Sequence, residues 1–267
     1  MHWQRMALFA ATASALVWMN AAAVEAASLR MTPVGLDLSA PEKAGAISLT
    51  NTASEPVDLQ VRIFKWSQVD GKDDLTDTRD VIVSPPVTTI KGGDTYTLRV
   101  VRVANRPVVG EEAYRLVIDE LPKPIDPRAT GQGVRMVLRS SMPVFFTAKD
   151  IKPDLQFKAW TEGGKSYLQV VNAGQRHAKL AGMKLVTPQG ELSFGGGLNG
   201  YVLSGQTMKF EAPTDKVKPP PVVDKDGKPD PKAAAGPETR LDSGMVQLVS
   251  GIGSSIDVKQ MVAVEAK

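Results

Sequence analysis

The sequence predicts an all-β protein made of two immunoglobulin-like sandwiches. Three observations carry that expectation. Short runs of alternating apolar and polar residues recur between turn residues along most of the chain, no segment shows a convincing amphipathic helical period, and the composition changes just after Pro143-Val144-Phe145-Phe146. About seven strands at this spacing in the first half fit an antiparallel sandwich, and the absence of any cysteine sets it apart from antibody-type domains.

Residues 1–26 read as a secretory signal. His2 and Arg5 open a polar, weakly basic start, Met6 to Met19 is largely apolar, and Val24-Glu25-Ala26 fits a small-x-Ala cleavage rule. The apolar stretch falls short of the roughly 18–20 residues that a membrane span requires. The expectation is an exported protein whose mature chain starts at Ala27. Loss of Arg5 and Glu25 leaves the formal charge at +3, too mild to argue for a nucleic-acid partner. Without cysteine, disulfides, thiolate zinc sites and a cysteine nucleophile are all excluded, so stability must come from apolar burial.

The first domain is expected over 27–148. Ile47-Ser48-Leu49, Val57-Asp58-Leu59-Gln60-Val61 and Tyr96-Thr97-Leu98-Arg99-Val100 alternate clearly, and Asn51-Thr52, Asp70-Gly71, Pro85-Pro86, Gly92-Gly93 and Asn105-Arg106-Pro107 mark turns. The most informative run is Gly133-Val134-Arg135-Met136-Val137-Leu138-Arg139-Ser140-Ser141-Met142-Pro143-Val144-Phe145-Phe146. At strand period Val134, Met136 and Leu138 fall on one face, with Arg135, Val137 and Arg139 on the other. Such a row either fills its own domain or is offered to another chain. The segment before it, residues 121–133, holds three prolines and two glycines and reads as an extended, mobile loop.

The second domain is expected over 149–267, with strands near 155–160, 167–172, 183–186, 245–249 and 256–264. Residues 213–237 carry seven prolines and five lysines with almost no large apolar groups, and read as a disordered insertion.

No constellation for catalysis emerges. Glu162-Gly163-Gly164-Lys165-Ser166 lacks the earlier glycine of a phosphate loop, with Ala159 in its place, and reads as a hairpin turn. Asp224-Lys225-Asp226-Gly227 lacks the closing glutamate of a calcium loop, with Ala235 in its place. Asp70, Asp73, Asp74, Asp77 and Asp80 read as solvated loop charges. Asp119 and Glu120 sit side by side on a strand and so point to opposite faces. In the mature chain His177 is the only histidine and reads as a surface turn position. No metal, cofactor or enzymatic activity is expected.

The chain resembles the periplasmic chaperones of the chaperone–usher pilus pathway. Beyond the export signal, the resemblance rests on the opening strand, Ile47-Ser48-Leu49-Thr50-Asn51, Val83-Ser84-Pro85-Pro86-Val87, Tyr114-Arg115-Leu116-Val117-Ile118-Asp119-Glu120-Leu121-Pro122 and Gly200-Tyr201-Val202-Leu203-Ser204-Gly205. It implies two sandwiches in an L- or boomerang-shaped arrangement, a periplasmic location, pilus or surface-fibre subunits as partners, and delivery to an outer-membrane usher. It also implies donor-strand complementation, in which the chaperone lends the missing strand of an incomplete pilin. Val134, Met136 and Leu138 would be the lent row, contributing roughly 5–9 kcal/mol before ordering costs. An exposed apolar edge of this kind invites self-association in the free protein.

The family's usual grip on the subunit's terminal carboxylate uses an arginine on the first strand and a lysine near the end of the donor strand. Here Thr32-Pro33-Val34-Gly35-Leu36 has no arginine, Arg30 lies just before it, and Pro143 falls at the lysine position, as in the archaic, divergent branch. Arg115 and Arg139 are the nearest substitutes, with Arg99 and Arg102 behind them. The alternative function is a secreted sandwich that binds carbohydrate or another surface ligand, for which Trp66, Trp160 and Tyr201 would be the platforms.

Overall fold

The computed structural model describes residues 29–122, 137–187, 190–214, 216–219, 228, 239–240, 244–252 and 256–266. Every regular element among them is a strand. The first ten are β1 (Leu29–Thr32), β2 (Leu36–Ser39), β3 (Ala44–Asn51), β4 (Val57–Val69), β5 (Lys72–Asp77), β6 (Val81–Ser84), β7 (Val87–Ile90), β8 (Thr95–Arg102), β9 (Glu111–Glu120) and β10 (Arg139–Thr147).

These ten build one sandwich. One sheet runs β1-β3-β8-β6; the other runs β2-β10-β9-β4-β5, with β7 also on β4. The alternation seen in the sequence fixes which rows meet. Ile47 and Leu49 from β3 and Leu98 and Val100 from β8 face Leu59, Val61, Leu116, Ile118, Met142, Val144 and Phe146 in one buried core. The opening segment changes sheets. β1 pairs with β3, and after the turn at 33–35 β2 lies parallel to β10, with Leu36 opposite Val144 and Ser39 opposite Thr147. Gly35 permits that junction, because a Cβ there would lie 2.9 Å from Pro143 Cγ.

The remaining strands are β11 (Leu155–Glu162), β12 (Lys165–Asn172), β13 (Ala178–Thr187), β14 (Gly190–Ser193), β15 (Leu198–Val202), β16 (Thr207–Glu211), β17 (Lys216–Val217), β18 (Thr239–Arg240), β19 (Gly244–Ile252) and β20 (Ile256–Ala266). A continuous hydrogen-bonded path runs β14-β13-β19-β20-β11-β12-β16, with β15 on β13. It wraps a second core of Leu168, Val170, Leu180, Met183, Leu185, Leu192, Val202, Val262 and Val264. The 213–237 stretch, expected to be disordered, contains ordered backbone. Lys216–Val217 pairs with Thr239–Arg240, Lys218 exchanges backbone hydrogen bonds with Glu191, and Val217 is buried in the second core. Most of the rest of 213–237 lies outside the described residues.

The same device turns a corner in each sandwich. Buried Asn51 ends β3, donates to the carbonyls of Glu55 (2.7 Å) and Ile90 (3.1 Å), and accepts from the Ala53 amide. Buried Asn172 ends β12, donates to the carbonyls of Arg176 (2.7 Å) and Val202 (3.0 Å), and accepts from the amides of Asp154 and Gly174.

A buried ionic cluster closes one pole of the first sandwich. Arg102 grips Glu112 through two bonds, Nε to Oε2 at 2.8 Å and Nη2 to Oε1 at 2.9 Å, and the Tyr114 hydroxyl donates to the same carboxylate at 3.0 Å. Burial pushes the Glu112 carboxyl up, but the bonds from Arg102 and Tyr114 outweigh it and hold the group below its ordinary value. Its stabilisation is therefore full above the ordinary carboxylate range and is lost as pH falls through the depressed value. Glu112→Ala, which leaves Arg102 buried without its carboxylate, is expected to cost about 3–5 kcal/mol in urea denaturation. Glu112→Gln should flatten the acid side of the stability–pH curve.

Candidate functional site

The site begins with the backbone of β10. Its antiparallel register with β9 places Arg139 opposite Asp119 and Thr147 opposite Glu111. The Glu120 amide bonds the Leu138 carbonyl (2.9 Å) and the Ala148 amide bonds the Gly110 carbonyl (2.8 Å), so even-numbered residues turn their backbone groups toward β9. Odd-numbered residues turn theirs to the other side. β2 covers that side only from Val144 to Thr147. Among the described residues no strand pairs with the outer backbone edge of Arg139, Ser141 and Pro143. Proline is tolerated at 143 because its missing N–H faces this open edge and not the β9 ladder.

Side chains on the outward face of this sheet form an ordered grid. Across β10, β9 and β4, Arg139 meets Asp119 and Gln60, Ser141 meets Val117 and Arg62, and Pro143 meets Arg115 and Phe64. Asp119 binds both Arg139 Nε and Arg62 Nη2, the latter at 2.6 Å. The bond from Arg139, followed by that from Arg62, holds the Asp119 carboxyl below its ordinary value. Arg115 is a different kind of cation. Its guanidinium lies 3.6 Å over the Trp66 ring and 3.2 Å from Asp73. Burial lowers its pKa from the usual arginine value, with Asp73 opposing that shift.

The second sandwich docks at the far end of the grid. Trp66, Ala113 and Phe145 from the first domain form a buried cluster with Leu203, and Tyr201 packs against it. Gln68, almost fully buried, donates to the Tyr201 carbonyl (2.9 Å) and accepts from the Leu203 amide (2.9 Å). His177 stacks on Phe145 with ring centroids 3.6 Å apart and planes 9° from parallel. Its Nδ1 lies 2.7 Å from Glu111 Oε2, and its amide donates to Glu111 Oε1 at 2.9 Å. Arg176 pairs with Asp37 of β2. The loop carrying Arg176 and His177 is held by Asn172, whose amide bonds the Arg176 carbonyl.

Several expectations change here. His177 is not a surface turn residue: its side chain is 10% exposed and is part of the joint between domains. The acidic group is not a loop, because Asp73, Asp74 and Asp77 lie on β5, a charged edge strand closed by a left-handed Asp70-Gly71 turn. Asp80 is chelated by Arg106 at 2.9 and 2.6 Å. Trp66 and Trp160 are 2% and 7% exposed, so neither is the open platform that a carbohydrate-binding alternative requires. Of the row Val134, Met136 and Leu138, the first two lie outside the described residues. Leu138 is 37% exposed, and regular pairing starts only at Arg139. Arg102, behind the expected carboxylate cations, is fully engaged by Glu112. Arg62, Gln68 and Arg176 had no local signal in the sequence, since each is defined by a partner far away in the chain.

An immunoglobulin-like sandwich with a half-open last strand, joined through that strand to a second sandwich, has the unpaired backbone edge that strand addition requires. Residues 28–152 match the family model for the PapD N-terminal domain of pili and flagellar-assembly chaperones, so the first sandwich is a domain of that kind. The likeness continues through the second domain. The chaperone–tip adhesion subunit pre-assembly complex CsuC–CsuE, from the archaic chaperone–usher Csu pili of Acinetobacter baumannii, matches at 27% identity and a TM-score of 0.61, covering 90% of this chain and 100% of that one. Two more distant structures share the fold. The CupB2 chaperone of Pseudomonas aeruginosa has 18% identity and a TM-score of 0.51, with 87% of this chain and 98% of that one covered. The SafA pilin–SafB chaperone complex of Salmonella enterica has 15% identity and a TM-score of 0.55, with 89% and 99% covered. No curated protein matches the chain.

The joint gives a direct prediction. Gln68→Ala removes both bonds to the second domain and leaves the Leu203 amide buried without an acceptor, at a cost of about 1–3 kcal/mol. X-ray scattering should show a broader distribution of interdomain angles in this variant, with each sandwich still folded by circular dichroism.

Proposed function

We propose that the chain is exported to the periplasm, captures pilus or surface-fibre subunits by adding β10 and the residues before it to their incomplete sandwich, and hands them to an outer-membrane usher. The open outer edge of Arg139 and Ser141 is the observation that carries this reading. These two residues supply backbone donors and acceptors, and Val134, Met136 and Leu138 supply side chains to an apolar groove in the subunit. Leu138 supports this role: a leucine next to the core row, yet 37% exposed, is an apolar group without a full complement of neighbours.

The arginines support two different tasks. Arg139 and Arg62 share Asp119 and so cross-link β10, β9 and β4 at the place where the lent strand begins, which fixes its register. Arg115 remains a carboxylate-binding candidate because it is desolvated and has a single half-exposed carboxylate partner. In the free protein the same edge is the natural contact between two copies.

Pull-down of the tagged protein from the periplasm of its own cells tests the reading. Wild type is expected to recover small exported subunits in stoichiometric amount. Leu138→Glu and Met136→Glu should lose them while keeping the wild-type circular dichroism spectrum and melting temperature. Normal capture by both Glu variants would rule out this segment as the lent strand.

A further inference from the structure

Between the sandwiches lies a cavity of about 310 Å³, on the β4–β5 side of the joint and two strands in from the open edge of β10. The first domain lines it with Trp66 of β4, Arg115 of β9 and Asp73 of β5. The facing wall belongs to the second domain and is apolar, with Leu198, Met208 and Phe210. The tip of the β4–β5 hairpin bounds the space, since a Cβ on Gly71 would lie 3.9 Å from the Lys209 backbone nitrogen of β16. Small-molecule sites start at roughly 300 Å³. This size and the bounding hairpin suit a compact molecule better than an extended polypeptide.

The apolar wall is built, not incidental. Leu198 is 53% exposed, yet the Gly195-Gly196-Gly197 turn that carries it is anchored by Asn199, which accepts from the Met183 amide (2.9 Å) and donates to the Phe194 carbonyl (2.9 Å). The polar groups then select the ligand. Asp73 accepts from Gln68 Nε2 at 3.1 Å and from Arg115 Nη2 at 3.2 Å. It thereby neutralises the only cation among the lining residues. A carboxylate would have to displace Asp73, and an ammonium group would find it already engaged. Trp66 is the exception. It is 2% exposed, and its indole N–H has no acceptor among the described residues. That nitrogen can only donate, and a buried donor without an acceptor is costly.

We propose that this cavity binds a small, flat, neutral aromatic molecule that carries one carbonyl acceptor. The ring lies against Leu198, Met208 and Phe210, where an aromatic face and a thioether favour an aromatic guest. The carbonyl accepts from Trp66 Nε1. That nitrogen is sealed in the free protein, so a lining side chain swings aside as the acceptor arrives. An occupant touches both sandwiches and so resists their relative motion. The site is independent of strand addition, since none of its lining residues lies on β10.

The test uses the chain from Ala27 to Lys267, with acetanilide, a neutral aromatic amide, as the probe. Trp66 and Trp160 are its only tryptophans, so two indole N–H resonances report in a proton–nitrogen NMR spectrum, assigned with Trp160→Phe. Acetanilide should move the Trp66 indole proton downfield, half-saturating at about 1 mM, while the Trp160 resonance stays in place. Leu198→Ser, at an exposed position, should keep the circular dichroism spectrum and raise that concentration about threefold or more. Benzoate and benzylamine, of similar size but charged, should leave the Trp66 resonance where it is. A Trp66 resonance unmoved by acetanilide overturns the proposal. So does an equal response to benzoate, which would make the site one for anions. Unchanged affinity in Leu198→Ser would place the probe elsewhere and overturn it as well.

Discussion

A β-strand paired along its whole length on one side and only part of its length on the other is the constraint on which the rest of this molecule depends. The β9 ladder holds β10 from Arg139 to Thr147, whereas β2 covers only its last four residues. Unpaired backbone groups on a sheet edge are a liability that proteins normally cover or charge. The other edge of this same sheet does so, with β5 reading Lys-Asp-Asp-Leu-Thr-Asp. The contrast between a charged edge and an open one in a single sheet is what supports the proposed role of β10 as a strand-pairing surface.

Keeping that edge usable requires the strand to stay in register while its partner strand is absent. Two sets of contacts accomplish this without touching the edge. At the near end Asp119 binds arginines from β10 and β4 across β9. At the far end Phe145 is sandwiched into the joint by His177, Tyr201 and Trp66. The second domain is thus coupled to the strand itself, through the ring of Phe145 and the paired Glu111 at the start of β9. The surface pair between Asp119 and Arg139 contributes little to stability alone. Its value here is geometric, because Asp119 ties three strands at one point.

Much of this was legible in the sequence, and the limits have physical reasons. Alternation at 47–49, 57–61 and 96–100 placed core strands correctly because one face of each is fully buried. Glu162-Gly163-Gly164-Lys165 was legible as a hairpin because two glycines at positive φ close β11 onto β12. β5 was read as a loop because an edge strand needs no apolar row, so its composition mimics a solvated turn. His177 was read as exposed because its environment is made by Glu111 and Phe145, residues 66 and 32 positions away. The repeated corner was available: Asn51 and Asn172 each end an alternating strand and precede small residues, and that signal marks the loop that brings Arg176 and His177 to the joint. The joint between the domains was the least legible part, since Arg176 and Asp37 meet only when the two domains do.

Amide hydrogen exchange at Arg139 and Ser141, in the free chaperone and in its complex with a captured subunit, tests the central claim most directly. Open-edge amides should exchange rapidly in the free protein and become strongly protected in the complex, while the Ser140 and Met142 amides, already bonded to β9, stay protected in both. Slow exchange at Arg139 and Ser141 in the monomeric free protein, or unchanged fast exchange in the complex, would contradict the account.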